Sequence, residues 1–315
     1  MNKNSSKVRG EVNPGVFLVW VRGTPSHLSR LSGNVTREIN TYLQPLLCLA
    51  WVNYHQVRYY DFRTQTIRLA IPLQTAIQAS WNSRWTVVDA ERLVLCGGSD
   101  VRSYLQLPWQ TAYEVHRSGR VQQLPDMLEG RSCCGMVVWK FTVHVFGSYQ
   151  GQTLARCESL GLREPTQCER LPDMHKARAK FTPSLWQEAV YLCGGIPGND
   201  TMETFDGHRM KLLGVRLPEG GTSLSCVDRD SLLVLSCNHS TILSSTGASE
   251  ALSVTARIVK HRPYHVFAFT EPVLYQGEMH CFYCGKVERY RIMQDFSSEK
   301  LTAATNCPNS ILHVQ

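Results

Sequence analysis

Leu93-Val94-Leu95-Cys96-Gly97-Gly98 and Val190-Tyr191-Leu192-Cys193-Gly194-Gly195 are two copies of one phrase, an apolar run closed by a glycine pair. Val143-His144-Val145-Phe146-Gly147-Ser148 lies midway between them. A second phrase, Leu-Pro-Asp-Met, stands at 124–127 and again at 171–174. The offsets agree: Leu124 to Leu171, Arg131 to Arg178, Trp139 to Trp186 and Gly147 to Gly194 are each 47 residues. Self-similarity at one fixed period marks a repeat architecture, in which each unit buries its faces only against its neighbours.

The period persists outward with decay. Leu46–Ala50 stands in the place of the glycine-pair strand before Gly97, and Leu233–Cys237 and Cys281–Gly285 continue it after Gly195. Tyr60, Tyr113 and Leu160 each precede a proline (Pro72, Pro125, Pro172) by 12 residues, and Phe205 precedes Pro218 by 13. Each unit reads as four short β-branched or aromatic runs bounded by Gly, Pro and polar turns, which is the content of a propeller blade and not of a helical solenoid. At this period residues 41–315 accommodate six units. The expectation is an all-β chain, a six-bladed β-propeller of four-stranded antiparallel blades over 41–315. Residues 1–40 precede it with a short amphipathic helix carrying Leu31, Val35, Ile39, Tyr42 and Leu43 near one face. Ser310–Val314 is expected to close the ring as the inner strand of the blade holding 46–73, with Val16–Val21 as the competing strand.

In these residues the chain resembles the kelch-repeat family. Cys96-Gly97-Gly98, Tyr113, Leu124-Pro125-Asp126-Met127 and Arg131 match the family pattern in order, and Cys193-Gly194-Gly195, Phe205 and Leu217-Pro218 match it again. The Trp that the family carries before Leu-Pro is absent; Val121 and Cys168 stand near its place. No Trp-Asp dipeptide of the rival propeller family occurs. The resemblance implies a protein-interaction module: a scaffold or adaptor that binds a partner through the loop face. Ubiquitin-ligase substrate receptors and cytoskeletal scaffolds are the family's common roles. The alternative it implies is an enzyme or small-ligand binder using the central channel, of the galactose oxidase kind.

Composition narrows the rest. The chain is 43% hydrophobic and 19% charged, enough apolar side chain for a large core. No apolar run approaches the roughly 18 residues of a membrane span, so no membrane partner is expected. A net charge of +7 without a Lys/Arg run is no nucleic-acid signature. The first apolar run, Val16–Val21, is too short and too late for a secretory signal, so a cytoplasmic location is expected and the 12 cysteines are read as thiols.

Cys281 and Cys284 have zinc-like spacing but no second pair near them. His261 and His265 are separated by Pro263, and on a strand would stand about 13 Å apart. Glu203–His208 gathers titratable groups, but its alignment makes Phe205 structural and Asp206-Gly207 a hairpin turn. The expectation is therefore no enzyme, no catalytic residue, no metal and no cofactor. Candidate partner-binding residues lie on the loops expected to share one propeller face: Arg102, Tyr104 and Trp109 after Gly98; Arg131, Lys176 and Arg178 between blades; and Arg257, Lys260, Arg262 and Tyr264 in an insertion before the last blade. Arg, Tyr and Trp are hot-spot types, and a basic face suits an acidic peptide segment of another protein.

Overall fold

The computed structural model describes residues 48–52, 56–61, 66–78, 82–89, 91–99, 107–116, 118–163, 167–228, 231–246, 253–260, 273–275, 278–283, 286–292 and 298–301. Among these residues the chain is all-β, with no helix and six antiparallel sheets. The expected helix in 1–40 and the closing strand 310–314 lie outside the described residues.

The first sheet has three strands, β1 (Cys48–Val52), β2 (Gln56–Asp61) and β3 (Thr66–Pro72). Every later sheet has four. The second holds β4 (Arg84–Val87), β5 (Arg92–Cys96), β6 (Ala112–His116) and β7 (Val121–Leu124). The third holds β8 (Gly135–Trp139), β9 (Thr142–Tyr149), β10 (Thr153–Gly161) and β11 (Cys168–Leu171). The fourth holds β12 (Ser184–Trp186), β13 (Ala189–Cys193), β14 (Thr201–Phe205) and β15 (Met210–Arg216). The fifth holds β16 (Leu224–Asp228), β17 (Ser231–Leu235), β18 (His239–Thr246) and β19 (Ser253–Lys260). The sixth holds β20 (Val273–Tyr275), β21 (Glu278–Tyr283), β22 (Lys286–Ile292) and β23 (Ser298–Leu301).

In every sheet the strands pair in chain order, and the first strands of successive sheets adjoin: β4 with β8, β8 with β12, β12 with β16, and β16 with β20. The repeat phase put Leu46–Ala50 in the second strand of its unit. In the structure β1 is the strand of its sheet that adjoins β4.

The second strands β5, β13 and β17 are buried at four of five positions because each sheet is covered on both faces. Val94, Leu124, Met136, Val143, Val145 and Leu160 fill the layer between the second and third sheets. Val137, Trp139, Phe146, Val190, Leu192 and Phe205 fill the next. Trp186, Tyr191, Met202, Leu232, Val234 and Leu243 fill the one after. At about 1.5–3 kcal/mol for each fully buried large apolar side chain, these layers drive the stacking.

Register corrects one landmark. Leu160 pairs with Val143 and Phe205 with Val190, each four residues before its glycine, and the residue in that place in the second sheet is Val115, opposite Leu93. Tyr113 sits opposite Leu95, two positions along. The β6–β7 turn is shorter than the β10–β11 turn, so counting back from the proline slips by two.

His144 lies in the layer between the third and fourth sheets, its ring 5.9 Å from Trp139, 5.6 Å from Phe205 and 6.4 Å from Phe146. Burial holds its imidazole down to about 4, and burial lowers His280 to about 4 as well. The unfolded chain therefore binds protons that the folded chain does not as pH falls below about 6.5, so the contribution is intact at neutral pH and lost on acidification. For His144 the expected loss at pH 5 is about 2 kcal/mol. Urea unfolding of wild type and His144→Phe at pH 7.5 and 5 checks this: the variant's pH dependence should be weaker by that amount.

Candidate interaction faces

The segments that lead from one sheet to the next carry the repeated Leu-Pro-Asp-Met and Arg, and the structure shows what the combination does. Arg131 grips two sheets at once. Its carbonyl accepts from Gly98 N (2.7 Å) at the end of the second sheet. Its guanidinium donates to the carbonyls of Gly147 and Arg156 (2.8 Å each) and pairs with Glu158 in the third sheet. Arg178 repeats this one sheet on: it donates to the carbonyls of Gly194 (2.8 Å) and Thr201 (3.2 Å) and pairs with Glu203 at 2.5 Å.

The carboxylates in turn fix the linking backbone. Glu158 accepts from Leu128 N (2.6 Å), and Glu203 from His175 N (2.7 Å) and Lys176 N (3.2 Å). The glycines complete the clamp. Gly97 and Gly147 have φ of +61° and +64°, and a Cβ on either would overlap the carbonyl oxygen of Arg131 or Arg178, respectively.

This geometry corrects two of the candidate residues. Arg131 and Arg178 are 1% and 0% exposed, so they cannot present a charge to a partner; their guanidinium groups are spent on Glu158, Glu203 and backbone carbonyls. Arg257 and Lys260 also move. Both lie in β19 and not in an inserted loop, because β18 and β19 pair over all eight of their residues, from His239↔Lys260 to Thr246↔Ser253. Lys176 is exposed and Trp109 half-buried, with Trp109 N bonded to Gly98 O (2.8 Å). Arg102, Tyr104, Arg262 and Tyr264 lie outside the described residues, as do His261, His265 and Cys284.

Two features of this loop face escaped the sequence. Leu107 and Leu128 are 70% and 47% exposed. They stand on neighbouring segments: Gln110 Nε2 donates to Leu128 O (3.1 Å), Met127 N to Gln110 O (2.8 Å) and Arg131 N to Trp109 O (2.9 Å). The nearby charges are mixed, for Arg156 and Arg170 both reach Glu129 and Arg170 also pairs with Asp173 at 3.2 Å.

At the opposite end of the third sheet, the β8–β9 turn and the last residues of β10 with Leu162 and Arg163 after it frame an open cavity of about 430 Å³ lined by Lys140, Phe141, Thr142, Gly161, Leu162 and Arg163. Phe141 is 50% exposed there.

Asp206 caps its own hairpin, accepting from His208 N and Arg209 N at 2.9 Å each, which lowers its carboxyl, and Phe205 is fully buried. Burial pushes the Cys134 thiol up to about 11 and those of Cys157, Cys168 and Cys193 to about 12, far from the reactive thiolate range. Among the described residues no three His, Cys, Asp or Glu side chains converge on a metal position, and no helix is long and apolar enough to cross a membrane.

No family model matches the chain, and no curated protein matches it. Among solved structures, the chain is similar to one described as "Structure of YjhT", with a TM-score of 0.50 and 10% identity, covering 66% of this chain and 79% of that one. At that identity the likeness speaks for the fold alone.

Proposed function

We propose that the six sheets are the blades of a kelch-type propeller and that the chain is a protein-interaction module. The succession of adjoining first strands and the Gly-Gly, Leu-Pro-x-Met and Arg clamp between sheets support the architecture. Among the described residues the first sheet holds three strands, and the apolar segment 310–314 is the candidate fourth. A scaffold or adaptor role, such as a substrate receptor, suits an arrangement whose distinctive groups lie on loops instead of converging on one reactive point.

The observation that carries the reading is the pair Leu107 and Leu128, both exposed on neighbouring segments that are held to each other and, at Leu128, to a buried ion pair. Solvent-facing leucines on a rigid support gain only when a partner covers them, and rigid presentation lowers the ordering cost of binding. The carboxylates Glu129 and Asp173 among the arginines make this face mixed in charge, so apolar contact leads and Lys176 stands at the rim.

The test is affinity capture with wild type and with Leu107→Asp/Leu128→Asp. Loss of a central hot spot costs at least about 2 kcal/mol, so recovery of the specific partner should fall roughly thirtyfold with the melting temperature unchanged. An unchanged set of captured proteins places the interface elsewhere.

A further inference from the structure

The cavity beside Phe141 is formed by residues the fold does not require. Lys140 and Phe141 are the central pair of the two-residue β8–β9 turn, with φ of 50° and 58°. Such hairpin turns favour Asn and Gly because a side chain at positive φ is strained. The turn 47 residues on has the same backbone, with Gln187 and Glu188 at φ of 50° and 57°. The architecture thus needs the turn, but two polar residues satisfy it equally. Phe141 accepts the strain without burying its ring.

The surroundings are cationic. The Arg163 guanidinium lies 4.3 Å over the Phe141 ring, and the Lys140 ammonium lies 4.6 Å over the ring of Trp139. Leu162 N donates to Phe141 O at 2.9 Å, which ties the segment after β10 to the β8–β9 turn. Among the described residues no carboxylate lines the cavity and neither cation has an ion-pair partner. A guanidinium stacked on a ring keeps its N–H edge free to take a carboxylate.

We propose that this cavity binds an acidic, extended peptide segment of a partner protein, with an apolar side chain against Phe141 and flanking carboxylates on Lys140 and Arg163. A concave site with a single ring and two cations suits a peptide. A membrane surface calls for several protruding apolar groups and a larger basic cluster. The site is independent of Leu107 and Leu128, at the other end of the sheet.

The experiment pans a random-sequence peptide display library on the full chain. Enriched sequences should carry Asp or Glu beside an apolar residue. A synthetic peptide of the enriched sequence should lose at least tenfold in affinity on Arg163→Glu, Lys140→Glu and Phe141→Gly, and nothing on Glu188→Ala. Glycine suits the φ of Phe141, so Phe141→Gly should keep or raise the melting temperature while binding is lost, which separates function from folding. No enrichment, enrichment without acidic residues, or equal binding by wild type and the three variants overturns the proposal. So does binding to phosphatidylserine vesicles, lost on Phe141→Gly, in the absence of peptide binding; that result would make the patch a membrane contact.

Discussion

Replacing Arg178 by methionine is expected to destabilise the fold by about 4 kcal/mol, the cost of leaving one half of a buried ion pair behind. Methionine retains the aliphatic packing but strands Glu203, which is 0% exposed and would keep the backbone N–H groups of His175 and Lys176 and the His175 Nδ1 at 3.0 Å, with no guanidinium. It also removes the donors to Gly194 O and Thr201 O. Glu203→Gln is expected to cost less, about 2 kcal/mol, because an amide oxygen still accepts but without charge. Arg178→Met/Glu203→Leu should cost clearly less than the sum of its single changes, since the uncompensated carboxylate is gone. Urea midpoints of wild type, Arg178→Met, Glu203→Gln, Glu203→Leu and the double variant measure this. An Arg178→Met loss below about 1 kcal/mol would show that the guanidinium is not holding the sheets together.

The clamp also bears on binding. Glu158 and Glu203 are core residues by burial, yet what they fix is the backbone of Leu128, His175 and Lys176 on the loop face. A partner meeting Leu128 therefore meets a segment anchored to the interior by charge-assisted bonds, a pre-organised surface.

How much of this was legible follows from what repeats. The glycine pairs and Arg131 and Arg178 recur at one offset because linker and sheet end touch at a fixed place, so their importance showed in the spacing. Their role did not, because a sequence states that an arginine recurs but not which way it points. The pairing of Glu158 and Glu203 with these arginines was missed since they follow them by 27 and 25 residues, the hairpins between differing in length. The same variation misplaced Tyr113, and the full-length β18–β19 pairing drew Arg257 and Lys260 out of the expected loop. Phe141 left almost no trace. A two-residue turn of Lys and Phe has no turn signature, and only the backbone shows that its ring faces water.

Gly147→Ala is expected to cost about 3 kcal/mol or more, the larger share from a clash and about 1 kcal/mol from a side chain at positive φ. The added Cβ would meet the carbonyl of Arg178, and behind it the Met174 side chain at 3.1 Å. Backbone cannot rotate away as a side chain can, so the third sheet and the segment leading to the fourth must separate. That movement would pull the Arg178 guanidinium off Glu203 and Gly194 O, coupling the glycine to the ion pair. Gly194 provides the internal comparison. Its φ is +65°, but a Cβ there would meet Ser223 Oγ at 2.6 Å and Ser223 Cβ at 2.9 Å, with backbone no nearer than Gly221 O at 3.2 Å. The serine hydroxyl can turn aside, at the loss of its bond to Cys193 O, and Ser223 Cβ at 2.9 Å then has to give by only a few tenths of an ångström. Gly194→Ala should therefore cost about 2 kcal/mol, less than Gly147→Ala, whose Cβ overlaps a backbone carbonyl oxygen. The ordering Gly147→Ala over Gly194→Ala, read from urea midpoints, is the result that backbone contact demands. Equal losses would mean that the strain of φ alone, shared by both positions, explains why glycine stands there.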